Sequence, residues 1–84
     1  MLTLQECLDL SGLENEAVDV IAHHERIPEI VAAELGHQLL ATAAGRRRIH
    51  DMIVDDIGRA RATGDEPRSL ALQRVLSHYD AAHP

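Results

Sequence analysis

Pro28-Glu29-Ile30-Val31-Ala32-Ala33-Glu34-Leu35-Gly36-His37-Gln38-Leu39-Leu40-Ala41 places apolar side chains nearly all the way round a helical wheel. Pro28 suits the first turn of such a helix, where its missing N–H costs nothing. No part of the stretch alternates with period two, so a strand is not expected. A helix with this little polar surface is usually central in its fold or covered by a partner chain. The reading is therefore an all-α fold with this helix as its most buried element.

Working outward from it, the flanking segments are helical and individually amphipathic. Upstream, Leu13, Ala17, Val20, Ile21 and His24 fall on one stripe of a helix over about residues 13–26, opened by Ser11-Gly12-Leu13-Glu14. Thr3-Leu4-Gln5-Glu6 reads as a capping box for a short N-terminal helix over about residues 4–10. Downstream, Thr42 caps a helix over about residues 43–62 with Ile49, Met52, Ile53, Ile57 and Ala60 on one face. Gly64 suits a left-handed helix end, and Asp65 starts a last helix over about residues 66–81 with Pro67 in its first turn. That helix offers Leu72, Val75, Leu76 and Tyr79 as its stripe. The expectation is one domain, residues 1–84: a compact bundle of four main helices plus the short N-terminal one, with short connections.

Composition removes several function classes. The net charge is −6 and Tyr79 is the only aromatic residue. Nucleic-acid affinity rests on positive surface against phosphate, and single-strand binding on stacked aromatics, so no nucleic-acid partner is expected. A helix-turn-helix drawn across Ser11-Gly12 would push Glu14, Glu16 and Asp19 into the major groove, which argues against it. Cys7 stands alone, so no disulfide or thiolate cluster forms within the chain, and it reads as a small buried apolar residue. No signal-peptide pattern and no run of about 18 apolar residues occurs, so the expected location is the cytoplasm with no membrane contact.

Polar residues that interrupt the apolar faces carry what chemistry there is. His24 lies in the stripe of its helix, and Asp56 projects from the middle of the face built by Ile53 and Ile57. Glu34-Leu35-Gly36-His37 forms a Glu-x-x-His step, which turns a carboxylate and an imidazole to one side of a helix, as in di-iron bundles. His24, Glu34, His37 and Asp56 are thus the candidate ligands, and their donor set suits a transition metal such as Fe, Mn or Zn. One chain supplies half a di-metal site, and a symmetric dimer would double it. Seven Glu and six His make one such step unsurprising by chance, and a hydrogen-bonded pair is the plainer account of it.

Arg46-Arg47-Arg48 opens the helix at 43–62, where backbone N–H groups attract anions. Three consecutive side chains splay round the helix, so a solvated face with salt bridges to Asp51 and Asp55 is the simpler reading. No nucleophilic triad, phosphate loop or redox Cys pair can be assembled, so enzymatic activity is expected only through the metal. The leading functional expectation is a small non-enzymatic interaction or regulatory protein, acting as a homo-oligomer such as a dimer or docking on a protein partner. The alternative is a metal-binding helical protein.

The stretch His24-Glu25-Arg26-Ile27-Pro28-Glu29-Ile30-Val31-Ala32-Ala33-Glu34-Leu35-Gly36, with Gly45-Arg46-Arg47-Arg48-Ile49, resembles small uncharacterised bacterial helical proteins over most of the chain. The resemblance implies an all-helical fold and a bacterial source, and it assigns no functional residue.

Overall fold

The computed structural model describes residues 15–83. Four helices occupy them: α1 (Asn15–Glu25), α2 (Glu29–Leu40), α3 (Ala43–Ala62) and α4 (Glu66–Ala82). No strand occurs among the described residues, and the fold is all-α. None of these helices is long and apolar enough to cross a membrane. The short N-terminal helix, its Thr3 box, the Ser11 cap and Cys7 lie outside the described residues.

Local chemistry places the boundaries. Thr42 is extended, and its hydroxyl accepts from the Gly45 N–H at 2.9 Å, which caps α3 as its sequence suggests. Gly64 closes α3 at φ 75, while the Asp65 N–H reaches back to the Ala60 carbonyl at 2.8 Å. Asp65 then caps α4 by accepting from the Arg68 N–H at 3.2 Å. The turn from α1 to α2 is less expected. Arg26, which the periodicity places in the helix, leaves it at φ 57, and the Ile27 N–H donates to the Ala22 carbonyl at 3.0 Å. A glycine normally takes this left-handed position. Pro28 stands just ahead of the first turn of α2, extended at ψ 152, and is its cap rather than its first residue.

α3 packs against α1, α2 and α4, and it supplies the largest share of the core: Ile49, Met52, Ile53, Ile57 and Ala60. Ala17, Val18, Val20 and Ile21 of α1 and Leu72 and Tyr79 of α4 close on this face. The expectation that the helix of residues 28–41 is the most buried is not met. α2 buries only Ala32, Ala33 and Gly36, while Ile30 and Val31 are 37 % and 43 % exposed. Its apolar residues are spread round the cylinder, and the small ones permit the closest approach, so they face the core, Leu35, Leu39 and Leu40 pack at its edge, and Ile30 and Val31 turn outward.

Two contacts lock the ends of α2, α3 and α4 together. The Tyr79 hydroxyl donates to the Arg46 carbonyl at 2.8 Å, and burial pushes the Tyr79 hydroxyl pKa up. The Arg46 guanidinium donates to the Leu40 carbonyl at 2.8 Å, satisfying the open end of α2. Arg46 is thus committed to the scaffold, and Arg48 turns to Glu25 at 3.4 Å rather than to Asp51 or Asp55. The three arginines do not converge on one anion.

Candidate metal centre

α1 crosses α3 with Val20 and Ile21 packed into the core that Ile49 and Ile53 share. His24 follows Val20 and Ile21 by one turn on the same stripe, so it arrives at the edge of that contact facing α3. Asp56 lies on the inward face of α3 between Ile53 and Ile57, and Asp55 stands one residue round, on the rim.

The result is a His–Asp–Asp cluster. One ligand atom from each of His24, Asp55 and Asp56 lies within 4.8 Å of the other two. His24 Nε2 is 3.0 Å from Asp55 Oδ2, and His24 Nδ1 is 3.3 Å from Glu25 Oε2. Asp55 Oδ2 also receives Arg59, one turn on in α3, at 3.2 Å. Asp56 is 3 % exposed, and its buried Oδ2 makes no hydrogen bond to any described residue. The Arg68 Nη2 atom stands 4.0 Å from that oxygen, an ion-pair separation too long for a hydrogen bond.

The Asp56 oxygen is unsatisfied as it stands. A buried carboxylate oxygen without a partner is costly, and a hydrogen-bond donor or a cation relieves the cost. A neutral imidazole has one donor, so two carboxylates on its two nitrogens are both satisfied only by the imidazolium or by a cation on one nitrogen. With the proton on Nδ1 toward Glu25, the Nε2 lone pair points at Asp55. This is the orientation that a carboxylate imposes on a metal-ligating histidine. Ligand atoms around one ion at about 2.0–2.2 Å lie roughly 3–3.6 Å apart. The His24–Asp55 separation already meets this, and an Asp56 ligand atom lies within 4.8 Å of both.

Of the four ligands expected from the sequence, His24 and Asp56 come together. Glu34 and His37 do not join them: both are exposed on α2. Their step is on the outward side because Ala32, Ala33 and Gly36 take the inward one. Asp55 was not among the expected ligands. The available signal was its position next to Asp56, and the arginines of the same helix made it read as a surface salt-bridge partner.

Grooves flank the bundle among the described residues. One of about 500 Å³ between α1 and α4 has Val20, Ile27, Leu72 and Val75 along its floor and Glu16, Asp19, Glu29 and Arg68 on its rim. There the Glu29 carboxyl pKa is raised, first because it shares a hydrogen bond with Asp19, then by repulsion from the Asp19 charge and slight burial. Another, of about 520 Å³, lies where α3 begins and α4 ends, and includes His50 and Asp80 paired at 2.9 Å. No protein-family model, curated protein or solved structure matches the chain.

Proposed function

We propose that this protein binds a divalent transition-metal ion through His24 Nε2 and the carboxylates of Asp55 and Asp56. The observation that carries the reading is Asp56, a buried carboxylate with an unpartnered oxygen, in a cluster that also holds an imidazole. Mixed imidazole and carboxylate donors suit Fe, Mn or Zn. Three protein ligands leave at least one coordination position open for water, a substrate atom or a group from another chain. Elemental analysis of protein purified without a His tag, followed by calorimetric titration with Zn²⁺ and Mn²⁺, tests this. Stoichiometric metal in the wild type that is lost in Asp56→Asn upholds it. A folded wild type that takes up neither ion reduces the cluster to an ion-pair staple between α1 and α3, and ends the proposal.

A second reading keeps the expectation of a small interaction protein that pairs with itself or docks on another protein. The outward Ile30 and Val31 of α2 favour it, with Val54 and Leu70 also 45 % and 54 % exposed. Light scattering at micromolar concentration, on the wild type and on Val31→Glu, tests it. A dimer that the substitution dissociates upholds self-association, and a monomer in both variants removes it.

A further inference from the structure

We propose that Arg68 is a built-in competitor for the cation at Asp56, so that the centre admits divalent ions and refuses monovalent ones. The inference rests on the metal reading above. Arg68 belongs to the first turn of α4, and its backbone N–H is held by the Asp65 carboxylate, so the root of its side chain is fixed. Its guanidinium is free to choose. The side chain is 42 % exposed, and its Nη2 stands 4.0 Å from Asp56 Oδ2 without hydrogen-bonding it. It also lines the α1–α4 groove, where Glu16, Asp19 and Glu29 offer other carboxylates.

Charge counting shows why the choice matters. Around His24 the structure gathers three carboxylates (Glu25, Asp55, Asp56) and three guanidiniums (Arg48, Arg59, Arg68). Arg48 is on Glu25 and Arg59 is on Asp55, both at hydrogen-bonding or near hydrogen-bonding distance. Arg68 is the loosest of the three, and its partner is the most buried of the carboxylates. A metal ion at Asp56 would lie within a few ångströms of the Arg68 guanidinium, and like charges at that range repel strongly where water is partly excluded. Occupancy of the centre therefore requires Arg68 to leave. A divalent ion gains imidazole and carboxylate bonds as well as charge attraction. A monovalent ion meets the same competitor with half the charge and weaker bonds. Arginine stays protonated at every accessible pH, so the competition is not relieved by raising pH. The groove carboxylates give the displaced guanidinium a new partner, which ties metal occupancy to the state of the α1–α4 groove.

The test is calorimetric titration of the full chain with Mn²⁺ and Zn²⁺, and with Na⁺ and K⁺ as competitors, for wild type, Arg68→Gln and Arg68→Lys. Arg68→Gln removes the competitor and is expected to bind the divalent ions about tenfold more tightly or better, the scale on which groups next to a metal site act. It is also expected to become sensitive to monovalent salt at concentrations that leave the wild type unchanged. Arg68→Lys keeps the charge and is expected to stay near wild type. Divalent binding in Arg68→Gln alone ends the metal reading of the wild-type chain and, with it, the inference. Equal or weaker divalent affinity in Arg68→Gln overturns the inference while leaving the metal reading intact. Absence of divalent binding in both proteins overturns the two together. Arg68→Met, which keeps the apolar stem over the core, replaces Arg68→Gln if circular dichroism shows that the latter is unfolded.

Discussion

α2 and α3 differ in a way that inverts the first impression of their sequences. α2 is the more apolar helix, yet it buries three small residues and leaves Ile30 and Val31 in solvent. α3 carries five arginines and three aspartates, yet it is the element on which the other helices pack. What decides centrality is whether the apolar residues share a face. In α3, Ile49, Met52, Ile53, Ile57 and Ala60 align in one stripe, so every burial cooperates. In α2 no orientation buries all the large residues, and packing selects the face of closest approach.

The largest test of this contrast is a pair of truncations. Ile53→Ala in α3 is expected to cost about 2–5 kcal/mol in denaturant unfolding, because Ile53 is fully buried. Ile30→Ala in α2 is expected to cost below about 0.5 kcal/mol, as for an ordinary surface change. Leu35→Ala, at a partly buried position packed against the core, should fall between them. Similar losses for Ile30 and Ile53 would break the comparison.

The junction between the two helices gives the next effect. Gly45 is buried in the first turn of α3, and an added Cβ would collide with the backbone carbonyl of Leu39 in α2. Backbone cannot swing aside as a side chain can, so Gly45→Ala is expected to destabilise by about 1–3 kcal/mol. Gly58, exposed with open space around it on the same helix, is the control: Gly58→Ala should stabilise, by up to about 1 kcal/mol.

A smaller gain is expected where α2 is joined to α1. Arg26 holds a left-handed backbone, which costs a residue with a Cβ about 1–2 kcal/mol. Glycine removes that strain but has a more disordered unfolded state, so Arg26→Gly should stabilise by a net of about 0.5–1 kcal/mol. A loss of stability would mean that the Arg26 side chain, rather than the backbone, sets the angle between the helices.

The smallest effect tests how firmly the start of α2 sits on α1. A carboxyl pKa raised in the folded state means that the folded protein holds the Glu29 proton more tightly than the unfolded chain does. Its contribution is therefore present at low pH and is lost as pH rises through the folded value. Glu29→Gln should match wild type below the ordinary value of 4.5 and exceed it slightly at pH 7. The pair is solvent-exposed and screened, so a rise in melting temperature of only about a degree or two is expected. Equal melting temperatures at both pH values would show that Asp19 and Glu29 do not meet in solution.

The candidate centre divides in the same manner as the helices. His24 and Asp56 were legible because each interrupts an apolar stripe, and a polar residue on a buried face must find a partner. Asp55 was not, since it stands off the stripe and becomes a ligand candidate only where α1 crosses α3. Glu34 and His37 were misplaced because the wheel of α2 has no single apolar side from which inward can be read. Arg68 gave no signal at all: its relation to Asp56 spans two helices and depends on where the first turn of α4 lands.

What the chain itself determined is the succession of helices and most of their ends. Thr42, Gly64, Asp65 and Pro67 act on hydrogen bonds and dihedrals within a few residues, and that local chemistry is present before any packing occurs. The stripe of α3 is equally local, being a matter of spacing along one helix. The tertiary structure decided which face of α2 is inside, that Arg26 rather than a glycine turns the chain, and that His24, Asp55, Asp56 and Arg68 share one place. Those outcomes depend on distances between helices. The distances follow from the burial of Ala32 and Ala33 and the close approach of Gly45 to Leu39, which no property of a single segment expresses.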